Sequence, residues 1–416
     1  MIKKPGAILA LLTGLNLLNY ADRVVVSAVL PKIQDEFGLS NFVGGLLATV
    51  CLLGYFATSP LFGVLGDRMA RKGLIAFGVF VWSLATALSG LATGATMLIA
   101  ARAVVGVGEA SYGTLAPTII DDVTPTLRKG RALSIFYFAM PIGASLGYLV
   151  SGLVEKHWGW RSAFFVAGGP GMLLAFACLL IKEPTRTFST ERPNIKRDFT
   201  KLVSTPLYRQ AVLGYCAYTA AVGAFSYWGP KFLYAHYGLE LSVANSRLGL
   251  ITVIAGGIAT LLGGAWADRM ANRVKGRIVL QEQQEDNDAT VTARINAGLL
   301  RICAIGSLVG APLAVGCFLA PGPNAFFACM FFCILALFLV PSPINAVVLG
   351  TVPPELRASA MALSIFSIHA FGDLWSPPLV GLLADHLPLP VAMMTLPAAI
   401  AASAWLWWPR RAAPMA

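Results

Sequence analysis

Charge is scarce in this chain. Only 12% of its 416 residues are Asp, Glu, Lys or Arg, while 57% are hydrophobic and the mean hydropathy is +0.71. Soluble domains carry about 25% charged residues, so an ordinary soluble domain is excluded and a membrane protein is implied. The seven cysteines all fall in apolar stretches and share no metal-ligand spacing with histidine, so neither a disulfide framework nor a metal site is expected. A Gly-x-x-x-x-Gly-Lys-Ser/Thr loop is missing, which argues against ATP-driven pumping. Also missing is the cluster of His, Cys or Ser that a lipid-modifying enzyme carries at the bilayer surface. No enzymatic activity and no cofactor are therefore expected. After Lys3 and Lys4 comes a long apolar stretch without a small-residue cleavage site, which reads as a retained first span.

What the chain does have is apolar runs of the ~20 residues that cross a bilayer as a helix. Twelve are expected, at 6–30, 43–66, 73–93, 97–121, 131–154, 161–181, 207–234, 243–267, 298–319, 325–349, 358–384 and 390–408. An even number puts both termini on one side. With the N-terminus inside, 24 of the 31 Lys and Arg fall on the cytoplasmic side, five fall outside or at its edge, and Arg23 and Arg102 are intramembrane. That asymmetry predicts a multi-pass cell-membrane protein with both termini cytoplasmic, in the inner membrane if the source is Gram-negative. The net charge of +11 is thus a topology signal with anionic lipid as neighbour, and nucleic acid is not an expected partner.

Two internal connections are long. Residues 182–206 are polar, contain Pro184, Pro193 and Pro206, and divide the spans six and six. Residues 268–297 form the other, whose run Gln281 to Asp288 reads as a solvated loop or short surface helix. The halves repeat each other. Gly63-Val-Leu-Gly-Asp67-Arg68 matches Gly264-Ala-Trp-Ala-Asp268-Arg269, and Ala132-Leu-Ser-Ile-Phe136 recurs at Ala362 to Phe366. Their offsets, 201 and 230, differ by about the extra length of the second loop. Six-plus-six repeats are a transporter architecture that works by alternating access.

The stretch Met97 to Asp122 is apolar enough to span, yet it holds Arg102 and Glu109. These are two turns apart on nearly one face, separated by a rise of ~10 Å. A charge at membrane depth costs ~2.5–3.5 kcal/mol on insertion scales, so it marks a pathway or a site by default. The alternative is a structural ion pair that only fixes helix packing. Small residues around the two charges allow a close approach by helices or a ligand.

Two sets of residues carry a resemblance. Gly63-Val-Leu-Gly-Asp67-Arg68-Met-Ala-Arg71-Lys72 resembles the signature between the second and third helices of the major facilitator superfamily, with Ala70 where a Gly is common. Arg102 followed by Gly106 resembles the fourth-helix signature of proton-linked members. Asn19-Tyr20-Ala21-Asp22-Arg23, with Arg102 to Tyr112 and on through Pro117, resembles the Spinster branch, which includes animal exporters of sphingosine phosphate and lysophospholipids. The resemblance implies an all-α fold of two pseudo-symmetric six-helix bundles, 1–181 and 207–416. The segment 182–206 is then a cytoplasmic linker and about 268–297 an insertion. It also implies an amphipathic, lipid-like substrate exchanged against protons, and a monomer is expected.

In the superfamily the first and fourth helices are neighbours. The resemblance then brings together Asp22, Arg23, Arg102 and Glu109, whose formal charges cancel. A guanidinium favours an ionised carboxylate and burial opposes it, so helix movement can load or release a proton. Asp22 and Glu109 are the expected proton carriers. Arg23 or Arg102 is expected to alternate between carboxylate and an anionic headgroup, which Arg grips through two hydrogen bonds. Asn19, Tyr20, Tyr112, Tyr227 and Trp228 are expected to line a cavity, with His369 and Asp373, one turn apart, as a further polar site. Asp67 and Asp268, with Arg71, Arg131 and Arg357 as partners, are expected to hold the cytoplasmic side closed, with help from a helix N-terminus. The rival functions are broad drug or organic-ion efflux, and a receptor or scaffold that binds without flux.

Overall fold

The computed structural model describes residues 2–125, 128–183, 195–280, 288–353 and 356–408. All twelve expected spans are helical. In chain order the helices are α1 Pro5–Phe37, α2 Asn41–Arg68, α3 Arg71–Ser89, α4 Ala95–Val123, α5 Lys129–Trp158, α6 Trp160–Leu179, α7 Ile195–Ser204, α8 Pro206–Tyr237, α9 Leu241–Leu280, α10 Asp288–Phe318, α11 Pro323–Leu337, α12 Pro341–Gly350, α13 Arg357–Ile368, α14 Ser376–His386, α15 Leu389–Met393 and α16 Thr395–Trp407. Their apolar runs require it, because in lipid each backbone N–H and C=O must be satisfied within its own segment.

Nine of the described helices or helix pairs are long and apolar enough to span by composition alone. The expected spans outside that set are α4, α8 and the α13–α14 column, which carry Arg102 and Glu109, Lys231, and His369 and Asp373.

The helices differ from expectation in four places. The polar segment 182–206 contains α7, a short helix packed on α13. The stretch 268–297 is no plain loop: α9 runs on to Leu280 and α10 begins at Asp288. Ala, Arg, Lys and Met are good helix formers, so the helices outlast their apolar windows. Of the run Gln281 to Asp288, only Asp288 lies within the described residues. The tenth span breaks before Pro341, since proline cannot extend the preceding ladder. In the eleventh, His369–Asp373 forms a π-turn between α13 and α14.

Contacts group the chain into two units. The first is 1–189 with 226–253 and 377–389; the second is 190–225, 254–376 and 390–416. These units cut across the six-plus-six repeat because packing follows which helix ends touch. In the first unit α2 packs on α4, α3 on α4 and α6, and α1 on α5. Its core joins Ile8, Leu12, Leu15, Trp82, Tyr112 and Phe136. In the second, α10 packs on α11, α12 and α16. Glycine sets the closest approach. A Cβ on Gly106 of α4 would strike the Cys51 carbonyl and lie 2.9 Å from the Tyr55 nitrogen of α2.

Candidate functional site: two buried ion pairs between α1 and α4

Helix α1 presents Asp22 and Arg23 as consecutive residues, and α4 presents Arg102 and Glu109 two turns apart. The structure joins them crosswise within the first unit. Arg23 donates from Nε (2.9 Å) to Oε2 of Glu109 and brings Nη2 to 2.8 Å of the same oxygen. Asp22 Oδ1 lies 3.5 Å from Arg102 Nη1, and its Oδ2 accepts from the Thr86 hydroxyl of α3 at 2.5 Å.

Burial separates the four. The Asp22, Arg102 and Glu109 side chains are 1%, 3% and 1% exposed, whereas that of Arg23 is 26% exposed. Arg23 is therefore the least buried of the four. Its guanidinium sits 5.0 Å from the Tyr20 ring and 5.8 Å from the Tyr55 ring, a geometry in which each π face attracts the cation.

Polar capacity is left over. Asp22 Oδ1, Glu109 Oε1, Arg102 Nε and Nη1, and the Asn19 amide nitrogen are buried with no hydrogen-bond partner among the described residues. Buried polar atoms are nearly always bonded, so these need explanation as strain, water or function.

The other expected site residues fall in several places. Tyr112 lies in the core between Trp82 and Phe136 and donates to the Leu12 carbonyl. Tyr227 donates to the Gly44 carbonyl at 2.5 Å and Trp228 to the Pro377 carbonyl at 2.9 Å. Both polar tips are thus spent on backbone. His369 Nδ1 is 2.9 Å from Asp373 Oδ2 across the π-turn of the second unit. Single π-turns inside α-helices are frequent at functional sites.

The expected partnership of Arg71 with Asp67 is replaced. Arg71 is buried and donates to Asp122 (2.5 Å), Thr118 (2.8 Å) and Glu183 (3.3 Å). Glu183 also accepts the backbone N–H of Arg71 and of Lys72, each at 3.1 Å, and so caps α3. A carboxylate is favoured at a helix N-terminus, and Glu183 fills that place. Asp67, Asp268, Arg131 and Arg357 are exposed.

The sequence reasoning missed Thr86, Asp122 and Glu183, together with a polar seal at the other ends of the helices. There Asp385 of α14 accepts the N–H of Asn41 (2.7 Å) and Phe42 (2.9 Å), capping α2. Lys231 donates to Gln34 (2.5 Å) and to Asn41. In the turn between α8 and α9, Glu240 meets Lys156 at 3.1 Å, and that hydrogen-bonded ammonium holds its carboxyl below the usual range. Asp385 is likewise held low: burial pushes it up, but the Phe42 and Asn41 amides outweigh that. Nothing in local sequence joins residues some 340 positions apart.

The comparisons with known proteins bear on what this geometry serves. The sequence profile of the Major Facilitator Superfamily matches residues 12–280. Protein spinster of Drosophila melanogaster is 34% identical over 390 residues, which cover 89% of this chain and 60% of the fly protein. Probable sphingolipid transporter spinster homolog 1 of Arabidopsis thaliana is 32% identical over 437 residues, covering 92% of this chain and 83% of that protein.

The chain belongs to the Major Facilitator Superfamily, in its Spinster branch.

It is thus a multi-pass membrane protein of a transporter family, not of an enzyme family. Among solved structures, a bacterial homologue of the human lysosomal transporter Spinster, in an inward-facing and unoccupied conformation, matches with TM-score 0.78 at 20% identity, over 97% of this chain and 94% of that one. A D-xylose–proton symporter matches with TM-score 0.72 at 17% identity, over 96% of each chain. This Spinster-branch chain therefore has the major facilitator fold of twelve spans.

Proposed function

We propose that the protein moves an amphipathic, anionic, lipid-like substrate by alternating access in exchange for protons. The observation that carries this reading is the crossed pairing of Asp22 with Arg102 and Glu109 with Arg23, buried and incompletely hydrogen-bonded. A permanent structural lock would be expected to satisfy its polar atoms, since a half-satisfied buried network costs more than an apolar one.

In this reading Glu109 and Asp22 carry the proton. Protonation of Glu109 removes the charge that holds Arg23, and the freed guanidinium turns to the substrate headgroup, a phosphate or similar anion. Arg23 takes this role because it is the least buried of the four; Arg102 stays with Asp22. Asn19 and Tyr20, one turn back on α1, line the approach. The His369–Asp373 pair is a second polar contact in the other repeat. The moving parts are the repeats 1–181 and 207–416, joined by 182–206. The Glu183–Arg71–Asp122 and Asp385–Asn41 clusters secure opposite ends, with both termini cytoplasmic and the chain a monomer. The named sphingolipid relatives support the substrate class.

The test is flux in proteoliposomes with a panel of lysophospholipids and sphingoid phosphates, with and without an imposed pH gradient. Gradient-dependent flux that Asp22→Asn removes supports the proposal. Flux of organic cations alone points to drug efflux, and binding without flux to a receptor.

A further inference from the structure

A groove of about 410 Å³ lies on the second unit, lined by Leu262, Trp266, Arg269, Met270, Arg273 and Leu339. Five of these six come from α9, and their spacing of three or four residues puts them on one stripe of that helix. The sixth, Leu339, sits in the turn between α11 and α12. The stripe reaches that turn because Gly263 has no side chain: a Cβ there would lie 2.5 Å from the Leu339 carbonyl.

The groove changes character along its length. At one end Leu262 and Trp266 are exposed and apolar, inside the apolar window of the eighth span. At the other, Arg269 and Arg273 are exposed one turn apart, with no acidic partner for either among the described residues. Asp268 lies ~100° round the helix from Arg269, off the stripe. From Leu262 to Arg273 the rise is ~16 Å, the reach from the upper part of an acyl chain to a headgroup phosphate. Tryptophan between them is the residue that favours the membrane interface.

We propose that this groove is a binding site for one anionic phospholipid of the surrounding bilayer. Arg269 and Arg273 grip the phosphodiester, and the first methylenes of an acyl chain lie along Leu262, Trp266 and Leu339. Two guanidiniums a turn apart can each give a charge-assisted bond to one phosphate, which a zwitterionic headgroup would oppose with its own cation. The volume falls within the ~300–1,000 Å³ of small-molecule clefts. The proposal needs only that α9 crosses a bilayer, so it stands or falls without the transport reading.

The experiment is native mass spectrometry of the full-length purified chain in neutral detergent. It is titrated with dioleoyl phosphatidylglycerol, with dioleoyl phosphatidylcholine, and with inorganic phosphate. One phosphatidylglycerol is expected to be retained in preference to phosphatidylcholine. Affinity should fall about five-fold in R269Q or R273Q and about 30-fold in the double variant. R68Q/R209Q removes the same charge elsewhere and should leave retention unchanged. L262W fills the apolar end while keeping both arginines and should also weaken retention. Equal retention in R269Q/R273Q and R68Q/R209Q would overturn the site. So would displacement of the lipid by inorganic phosphate alone, or indifference to L262W.

Discussion

Arg23 closes two of its nitrogens, at 2.9 and 2.8 Å, on a single oxygen of Glu109, while the second oxygen of that carboxylate is buried without a hydrogen-bond partner among the described residues. The contact is strong on one side and open on the other, and that asymmetry shapes what each substitution should do.

Glu109→Gln keeps the shape and removes the proton site. Flux driven by a pH gradient is expected to fall about 100-fold or more, the lower end of what loss of one acid–base group costs, while size-exclusion profiles stay those of the wild type. The same is expected of Asp22→Asn. Unaltered, gradient-driven flux in both variants would refute the proton role.

Arg102→Met should destabilise by about 3–5 kcal/mol, because it leaves Asp22 buried and uncompensated. Adding Asp22→Asn should restore most of the loss, since the charge is then gone. Thermal unfolding of the two single variants and the double gives the coupling; strictly additive effects would contradict direct pairing.

Tyr20→Leu should loosen Arg23 by ~0.5–2 kcal/mol through loss of the ring face beneath it, whereas Tyr20→Phe should be silent. Substrate affinity under constant pH is the readout. Equal effects of both would assign the role to the hydroxyl instead.

Asp385 supplies a pH prediction. Its carboxyl is held below the usual range, with burial opposing and the amides of Phe42 and Asn41 prevailing. A carboxylate lowered in the folded state contributes stability above its unfolded value of about 3.9 and loses it as pH falls through the folded value. The seal around α2 should therefore hold unchanged from pH 8 to about 5 and weaken only in stronger acid. Asp385→Asn should weaken it throughout. Hydrogen exchange at the Asn41 and Phe42 amides measures both; rapid exchange already near pH 6 in the wild type would contradict this.

Much of the fold was legible because bilayer physics leaves few choices. Hydropathy located the twelve spans, the cost of charge at depth singled out Arg102 and Glu109, and the family resemblance added Asp22 and Arg23, with which the structure pairs them. Features made by tertiary contact were not legible. The π-turn at His369 has no local signature, and the break before Pro341 could be foreseen only as one proline bend among several. Glu183 caps α3 from over a hundred residues away, which no local pattern shows, and the family resemblance pointed to Asp67 as an acidic partner of Arg71 instead. Tyr112 accompanies the charges in sequence, yet its ring goes into the core with Trp82. Helix α9 outran its apolar window because helix propensity continues where hydropathy stops.

The two acceptor–donor pairs share one mechanical constraint. Asp22 and Arg23 are neighbours on a stiff rod, set about 100° apart, and each is tied to an opposite charge on the same second rod. A screw motion of α1 large enough to pull either pair apart must disturb the other, so the two behave like ganged switches on a common spindle. In the proposed cycle only a side-chain turn, that of Arg23 away from a protonated Glu109, can release one pair while the two rods stay in place.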